Sequence, residues 1–261
     1  MRGHKGPVSG IVLNPKHLGA NMGELILVRH GHTGLNQPGP DERLRGWLDV
    51  PLDEQGLREA AETSERLAAY SVQAIYCSDL RRARQTAEIM RKRSKAPVTA
   101  TVALRPWNLG VFGGHRVRDI LPFLRLLNQR PDVPAPGGES FHQFYGRYSC
   151  QLQVLLDMAE QSPAPIVAVT HVRNLLATAT FISGGDRDRV PVRGGPATGT
   201  LTILHKNGPQ WVSRSDHRYV VDGNPGSKVE MARTDAKASS KIFPTLVHVS
   251  DPVKNEGQRA S

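Results

Sequence analysis

Within the segment "GELILVRHGHTGLN" a short apolar run, Leu25 to Val28, ends abruptly in Arg29, His30, Gly31, His32 and Thr33. A second run, "PIVAVTHVRN", ends the same way at Thr170 and His171. A third, Val72 to Cys77, leads into "SDLRRARQTAE", where Arg81, Arg82 and Arg84 crowd one short stretch. Two imidazoles and several guanidiniums at the ends of apolar runs suit the binding and transfer of a phosphoryl group. Arginine presents planar pairs of donors that match phosphate oxygens. A neutral imidazole is a nucleophile near pH 7, and its attack on phosphorus gives a phosphohistidine. Gly31 allows backbone to approach a ligand closely. No glycine-rich phosphate loop with a Walker spacing occurs, so side chains must provide the grip.

The elements that would position these residues alternate along the chain. The apolar runs at Leu25 to Val28, Val72 to Cys77, Val98 to Leu104 and Ile166 to Thr170 read as strands. Gln55 to Ala69, the stretch opened by Ser78 and Asp79 as N-cap candidates, Asp119 to Asn128, Glu139 to Glu160 and Asn174 to Ile182 read as helices. Thr200 to His205 and Gln210 to Ser213 suggest a closing hairpin around "KNGP". Strand and helix in alternation imply an α/β fold, a three-layer sandwich with a mainly parallel sheet flanked by helices. Ligands of such sheets bind beyond the carboxyl ends of the strands, where all three polar clusters fall.

The rest of the 261 residues sets bounds. Residues 1–23 and 221–261 are polar and rich in breakers. They are expected to be a flexible extension and a disordered tail around one domain over 24–220. No run approaches about 18 apolar residues, which argues against a membrane span, and the start lacks the apolar core of a secretory signal. The two cysteines, Cys77 and Cys150, form no disulfide framework or zinc spacing, so a reducing, cytoplasmic setting is expected. The net charge of +10 suits an anionic ligand. The cations are scattered and not interleaved with aromatics, which argues against nucleic acid as the partner.

Taken together, these segments resemble the histidine phosphatase superfamily, in its phosphoglycerate-mutase-like branch. "LILVRHGHTGLN" is similar to their Arg-His-Gly-x-Thr signature. "RLRGWLDVPLDEQG" resembles their Arg-x-x-Gly-x-x-Asp-x-Pro-Leu segment on Arg43, Gly46, Asp49, Pro51 and Leu52. "YCSDLRRARQTAE" resembles the helix whose arginine falls on Arg82. "PGGESFHQFYGR" and "IVAVTHVRNLLA" complete the order, with Glu139, Ser140, Arg147 and His171. The resemblance implies that His30 accepts the phosphoryl group and that Arg29, Arg82 and His171 bind its oxygens, with Asn36 as a further donor. No metal or cofactor is implied. The implied substrate is a phosphorylated small molecule or a phosphoprotein, cleaved by hydrolysis. A phosphoglycerate-type mutase and a catalytically weak phospho-ligand binder are the alternatives.

Two positions depart from the family pattern. The segment that usually carries a general-acid glutamate reads "LRPWNLGVFGG", with Pro106 at the acid position. Glu139, after a Gly-Gly turn, is the substitute candidate. His32 stands where many relatives have Glu, either widening the positive field at the mouth or simply solvated.

Overall fold

In the computed structural model the structure describes residues 23–37, 39–191 and 194–215. The extension expected over 1–23, except Gly23, and the tail expected over 221–261 lie outside them. Six strands form one sheet: β1 (Glu24–Arg29), β2 (Ala74–Ser78), β3 (Val98–Thr101), β4 (Ile166–Thr170), β5 (Leu201–Asn207) and β6 (Gln210–Ser215). Their order is β3-β2-β4-β1-β5-β6. The pairs β2·β3, β2·β4 and β1·β4 are parallel, whereas β5 and β6 add an antiparallel hairpin beside β1. Gly208, at φ +61°, makes the turn of that hairpin, a conformation glycine adopts without penalty.

The helices α1 (Glu54–Leu67), α2 (Arg81–Ser94), α3 (Val117–Gln129), α4 (Phe141–Gln161) and α5 (Val172–Ile182) cover both faces. Side chains alternate across a strand, and β1 divides accordingly. Leu25 and Leu27 join Leu152, Leu155 and Leu175 on the face carrying α4 and α5. Ile26 and Val28 join Leu67, Ala83, Ala87 and Met90 on the face carrying α1 and α2. The three-layer α/β expectation is therefore met. Among the described residues no helix is long and apolar enough to cross a membrane.

Local departures have physical causes. The strand expected over Val98–Leu104 stops at Thr101 and continues as a 3₁₀ turn over Val102–Leu104. β3 pairs only with β2, and their last partners are Ser78 and Thr101, so no ladder remains to extend it. Neither Ser78 nor Asp79 caps α2. Leu80 is the N-cap and makes no side-chain cap bond. Asp79 instead takes both Nε and NH2 of Arg105, at 2.7 and 2.6 Å, and a bidentate charged pair outweighs a single N–H cap. The helix expected from Glu139 starts at Phe141, capped by Ser140 in a reciprocal capping box with Gln143.

Candidate active site

The register of β1 and β4 creates the centre of the site. Arg29 is opposite Thr170, so the next residues, His30 and His171, leave adjacent parallel strands side by side. Strands lie roughly 4.8 Å apart, and the two ring centroids are 5.0 Å apart, tilted by 60°. Both side chains continue the alternation on the α2 face and are buried, at 2% and 3% exposure. Arg82 rises to meet them from the first turn of α2, itself 1% exposed, while Arg81 and Arg84 face outward. The helix register thus separates three neighbouring arginines as expected.

The hydrogen bonds define the state of His30. Its Nδ1 is 2.7 Å from the Gly31 carbonyl oxygen, which can only accept, so Nδ1 carries the proton. Nε2 is then a bare lone pair, and Arg82 Nε donates to it at 3.3 Å. Burial, followed by the charges of Arg82 and Arg29, holds the His30 pKa well below the ordinary imidazole range. His30 is thus a neutral imidazole in a fixed tautomer. His171 is driven down in the same way, by burial and then by Arg82. Neither of its ring nitrogens has a hydrogen-bond partner, and Arg29 Nε is also buried without one. Buried polar atoms are rarely left unpaired. Three of them beside a nucleophile mark the place of a bound group rich in acceptors.

The arginines are anchored without being neutralised. Arg82 donates from NH1 to Leu48 O at 2.7 Å and from NH2 to Gly46 O at 2.9 Å. Arg29 NH1 donates to Pro196 O at 2.6 Å. Burial above all lowers both guanidiniums to about 9, which leaves them cationic at neutral pH. A third guanidinium joins them that the sequence reasoning missed. The charge of Arg45 bears on Arg29, Arg82, His30 and His171. The motif match had drawn attention to Arg43, whose guanidinium instead donates to Gly114 O. The only sequence signal for Arg45 was its place directly before Gly46 in "RLRGW".

The loop after β1 is fastened to the start of α1. A Cβ on Gly31 would come within 2.4 Å of Gly56 O, and one on Gly56 within 2.0 Å of His32 O. Gly31 therefore admits the backbone of α1. Asn36 Oδ1 accepts from Thr33 N at 3.0 Å and Thr33 Oγ1 at 2.8 Å, so only its amide NH2 can serve a ligand. His32 is neither solvated nor a free charge at the mouth. Its Nδ1 is 2.6 Å from Asp53 Oδ2 and its Nε2 is 3.3 Å from Asn36 O. Asp53 also caps α1 through Oδ1 and Gly56 N, at 2.9 Å. Burial works to raise the Asp53 carboxyl, but the bonds from Gly56 and His32 prevail and hold it below its usual range.

The Glu139 carboxylate is engaged by Arg147 and the Asn108 N–H. Its Oε1 accepts from Arg147 NH2 at 2.6 Å and from Asn108 N at 2.9 Å. Both partners donate to the carboxylate, so the side chain is fixed by the bonds it accepts. The Pro106 carbonyl accepts from Trp47 Nε1 at 2.8 Å and Arg147 NH2 at 3.3 Å.

Comparison with known proteins agrees with this geometry. The family model of the histidine phosphatase superfamily (branch 1) matches residues 25–216. A glucosyl-3-phosphoglycerate phosphatase from Mycolicibacterium vanbaalenii is 31% identical over 212 residues, covering 78% of this chain and 88% of the relative. Phosphoglycerate mutase-like protein 4 of Arabidopsis thaliana is 35% identical over 156 residues, 57% of this chain and 66% of that relative's length. The solved structure of a mycobacterial glucosyl-3-phosphoglycerate phosphatase in complex with VO3 superposes with a TM-score of 0.62 at 28% identity, covering 75% of this chain and 98% of that one. The chain belongs to the histidine phosphatase superfamily, branch 1.

Proposed function

We propose that this member of the histidine phosphatase superfamily hydrolyses phosphomonoesters through a phosphohistidine on His30. The observation that carries the reading is the fixed, neutral His30 beside a His171 whose ring nitrogens are buried and unpartnered. The His30 Nε2 lone pair attacks phosphorus, the N–P bond forms, and the ester P–O bond breaks with its electron pair leaving on oxygen. The Nδ1–H bond to Gly31 O stabilises the positive charge that develops on the ring. Arg82 Nε–H exchanges Nε2 for a phosphoryl oxygen, and Arg29 and His171 bind the others. Removing one such donor costs on the order of 10²-fold or more in rate. Water then attacks the phosphohistidine in line, the N–P bond breaks, and the pair returns to Nε2. The guanidiniums supply the positive charge a metal would otherwise provide, so no metal enters the scheme.

With Pro106 at the acid position and Glu139 held by Arg147, the leaving oxygen takes its proton from solvent. Substrates whose leaving groups are weak bases are then favoured. The same observation favours a second reading, a phospho-ligand binder with slow turnover. Phosphorylated small molecules, the substrates implied by the phosphatase names among the relatives, and phosphoprotein side chains are the substrate classes. A reducing, cytoplasmic setting suits the two free cysteines, Cys77 and Cys150.

The test is to mix the protein with p-nitrophenyl phosphate, quench without acid and look for an acid-labile phosphoryl group by mass spectrometry. The label is expected on the His30 peptide, with inorganic phosphate released to water and no turnover in His30→Ala. A label elsewhere, or full activity in His30→Ala, overturns the reading. Transfer to an added alcohol in preference to water indicates a mutase, and binding without turnover indicates the second reading.

A further inference from the structure

His30 Nδ1 donates to the Gly31 carbonyl oxygen at 2.7 Å. That oxygen belongs to the peptide group joining Gly31 to His32, and the N–H of the same group is also engaged. His32 N donates to Glu59 Oε2 at 2.8 Å. A trans peptide sends its C=O and N–H in opposite directions. One end of this peptide therefore meets the ring of the nucleophile and the other a carboxylate on α1. Glu59 Oε1 accepts from Gln55 Nε2 at 2.8 Å. Both of these donors are uncharged, so the carboxylate keeps its charge, which is felt at Arg29. The His32 ring is held separately, by Asp53 and Asn36 O.

We propose that Glu59 is a positioning residue that acts on His30 through the Gly31–His32 peptide. A charged acceptor on the N–H polarises the peptide and makes its carbonyl oxygen the stronger acceptor for Nδ1–H. In the resting protein this holds the proton on Nδ1 and leaves Nε2 free to attack. As the N–P bond forms, the ring gains positive charge, and the strengthened Nδ1–H bond lowers the energy of that state. No proton crosses the peptide, and Glu59 touches neither substrate nor phosphorus. The role rests on the phosphohistidine reading, because it matters to the rate only if His30 attacks.

The deciding variant is Glu59→Gln, whose side-chain oxygen can still accept from the His32 N–H while the charge is gone. At pH 7, kcat/KM for p-nitrophenyl phosphate reports phosphoryl transfer to His30. It should fall about threefold or more, part of the difference between a charged and a neutral hydrogen-bond acceptor. Inhibition by inorganic phosphate should not weaken, since an anion near Arg29 has been removed. In protein labelled with 15N-histidine, the His30 Nδ1–H resonance should move upfield. A brace that only holds the loop predicts no change, and a direct field effect of the lost anion predicts a faster reaction. Unchanged or raised kcat/KM, phosphate inhibition weakened in step with the loss, or an unmoved resonance overturns the proposal. If Glu59→Gln does not fold, wild type decides: an Nδ1–H resonance at the position of a free imidazole, or in free exchange with water, overturns it. Absence of the phosphoryl label from His30 would count against the catalytic reading, and the resonance, read without substrate, would still test the polarised peptide.

Discussion

The buried, neutral state of His30 and His171 has a measurable consequence for folding. Both side chains are almost fully excluded from solvent, and both have pKa values well below 6.5 in the folded protein. In the unfolded chain they titrate near 6.5. Below that pH the unfolded state binds two protons that the folded state refuses, so stability falls as pH falls. Between pH 7.5 and 5.5 the loss is on the order of 1 kcal/mol for each imidazole, and roughly 2–3 kcal/mol for the pair. Two other histidines shift with pH. His205 is depressed, by burial first, and adds to the loss. His142 is raised, first by its bond to Asp188, and acts in the opposite sense. The comparison that isolates the pair is wild type against His30→Asn/His171→Asn, each by urea unfolding at both pH values in buffer free of phosphate and sulfate. The double variant should lose roughly 2–3 kcal/mol less than wild type. Equal losses would show that these imidazoles are protonated, or solvated, in the folded protein, and the neutral nucleophile would fall with them.

Other outcomes follow from the same geometry. Arg82→Ala should lower kcat/KM for p-nitrophenyl phosphate by about 10²-fold or more, whereas Arg84→Ala, on the outer face of α2, should change it little; equal losses would mean that the helix register does not select the phosphate ligand. Turnover should be clear on aryl phosphates and weaker on alkyl phosphates by about 10²- to 10⁴-fold, and Glu139→Gln should not widen that gap, because the carboxylate is held by Arg147; a selective loss of alkyl ester hydrolysis in Glu139→Gln would restore Glu139 as the acid. Gly56→Ala should push the loop carrying His30 off α1, costing about 1–3 kcal/mol of stability together with activity, measured by thermal unfolding and steady-state kinetics; a variant as stable and active as wild type would show that the close approach is not required.

What the sequence revealed and what it hid follow from the range of the interactions. His30, His171 and Arg82 were legible because each sits on an element whose period places it. The alternation of Leu25 to Val28 sends His30 to the face that receives Arg82, and the α2 register hides Arg82 while exposing Arg81 and Arg84. Side chains that themselves lie on irregular segments were not legible. Glu139 follows a Gly-Gly turn, and nothing in its neighbourhood announces that Arg147 and the Asn108 N–H will claim its carboxylate. His32 looked like a surface cation until Asp53, which also caps α1, came to meet its ring. Arg45 lies on a segment without periodicity, and its environment is made by Leu35, Glu42, Arg29 and Arg82, residues that only the fold assembles.

The arginines also show how a site keeps its charge. Arg29, Arg45 and Arg82 are oriented by backbone carbonyls, those of Pro196, Leu35, and Gly46 with Leu48. A carbonyl fixes a guanidinium through a hydrogen bond and leaves its full charge in place. Arg105 and Arg147 are oriented by carboxylates, Asp79 and Glu139, which cancel the charge and stitch the segment around Pro106 to its surroundings. Burial first, and then the neighbouring charge of Arg45, lowers the pKa values of Arg29 and Arg82. In the proposed scheme a bound phosphoryl group relieves that repulsion, and the relief adds to its binding. The distinction separates the arginines proposed to bind phosphate from those that hold the segment around Pro106. It lies in whether a carboxylate stands within close ion-pair distance, as at 2.6 Å for Arg105 and Arg147, which residue type alone does not reveal.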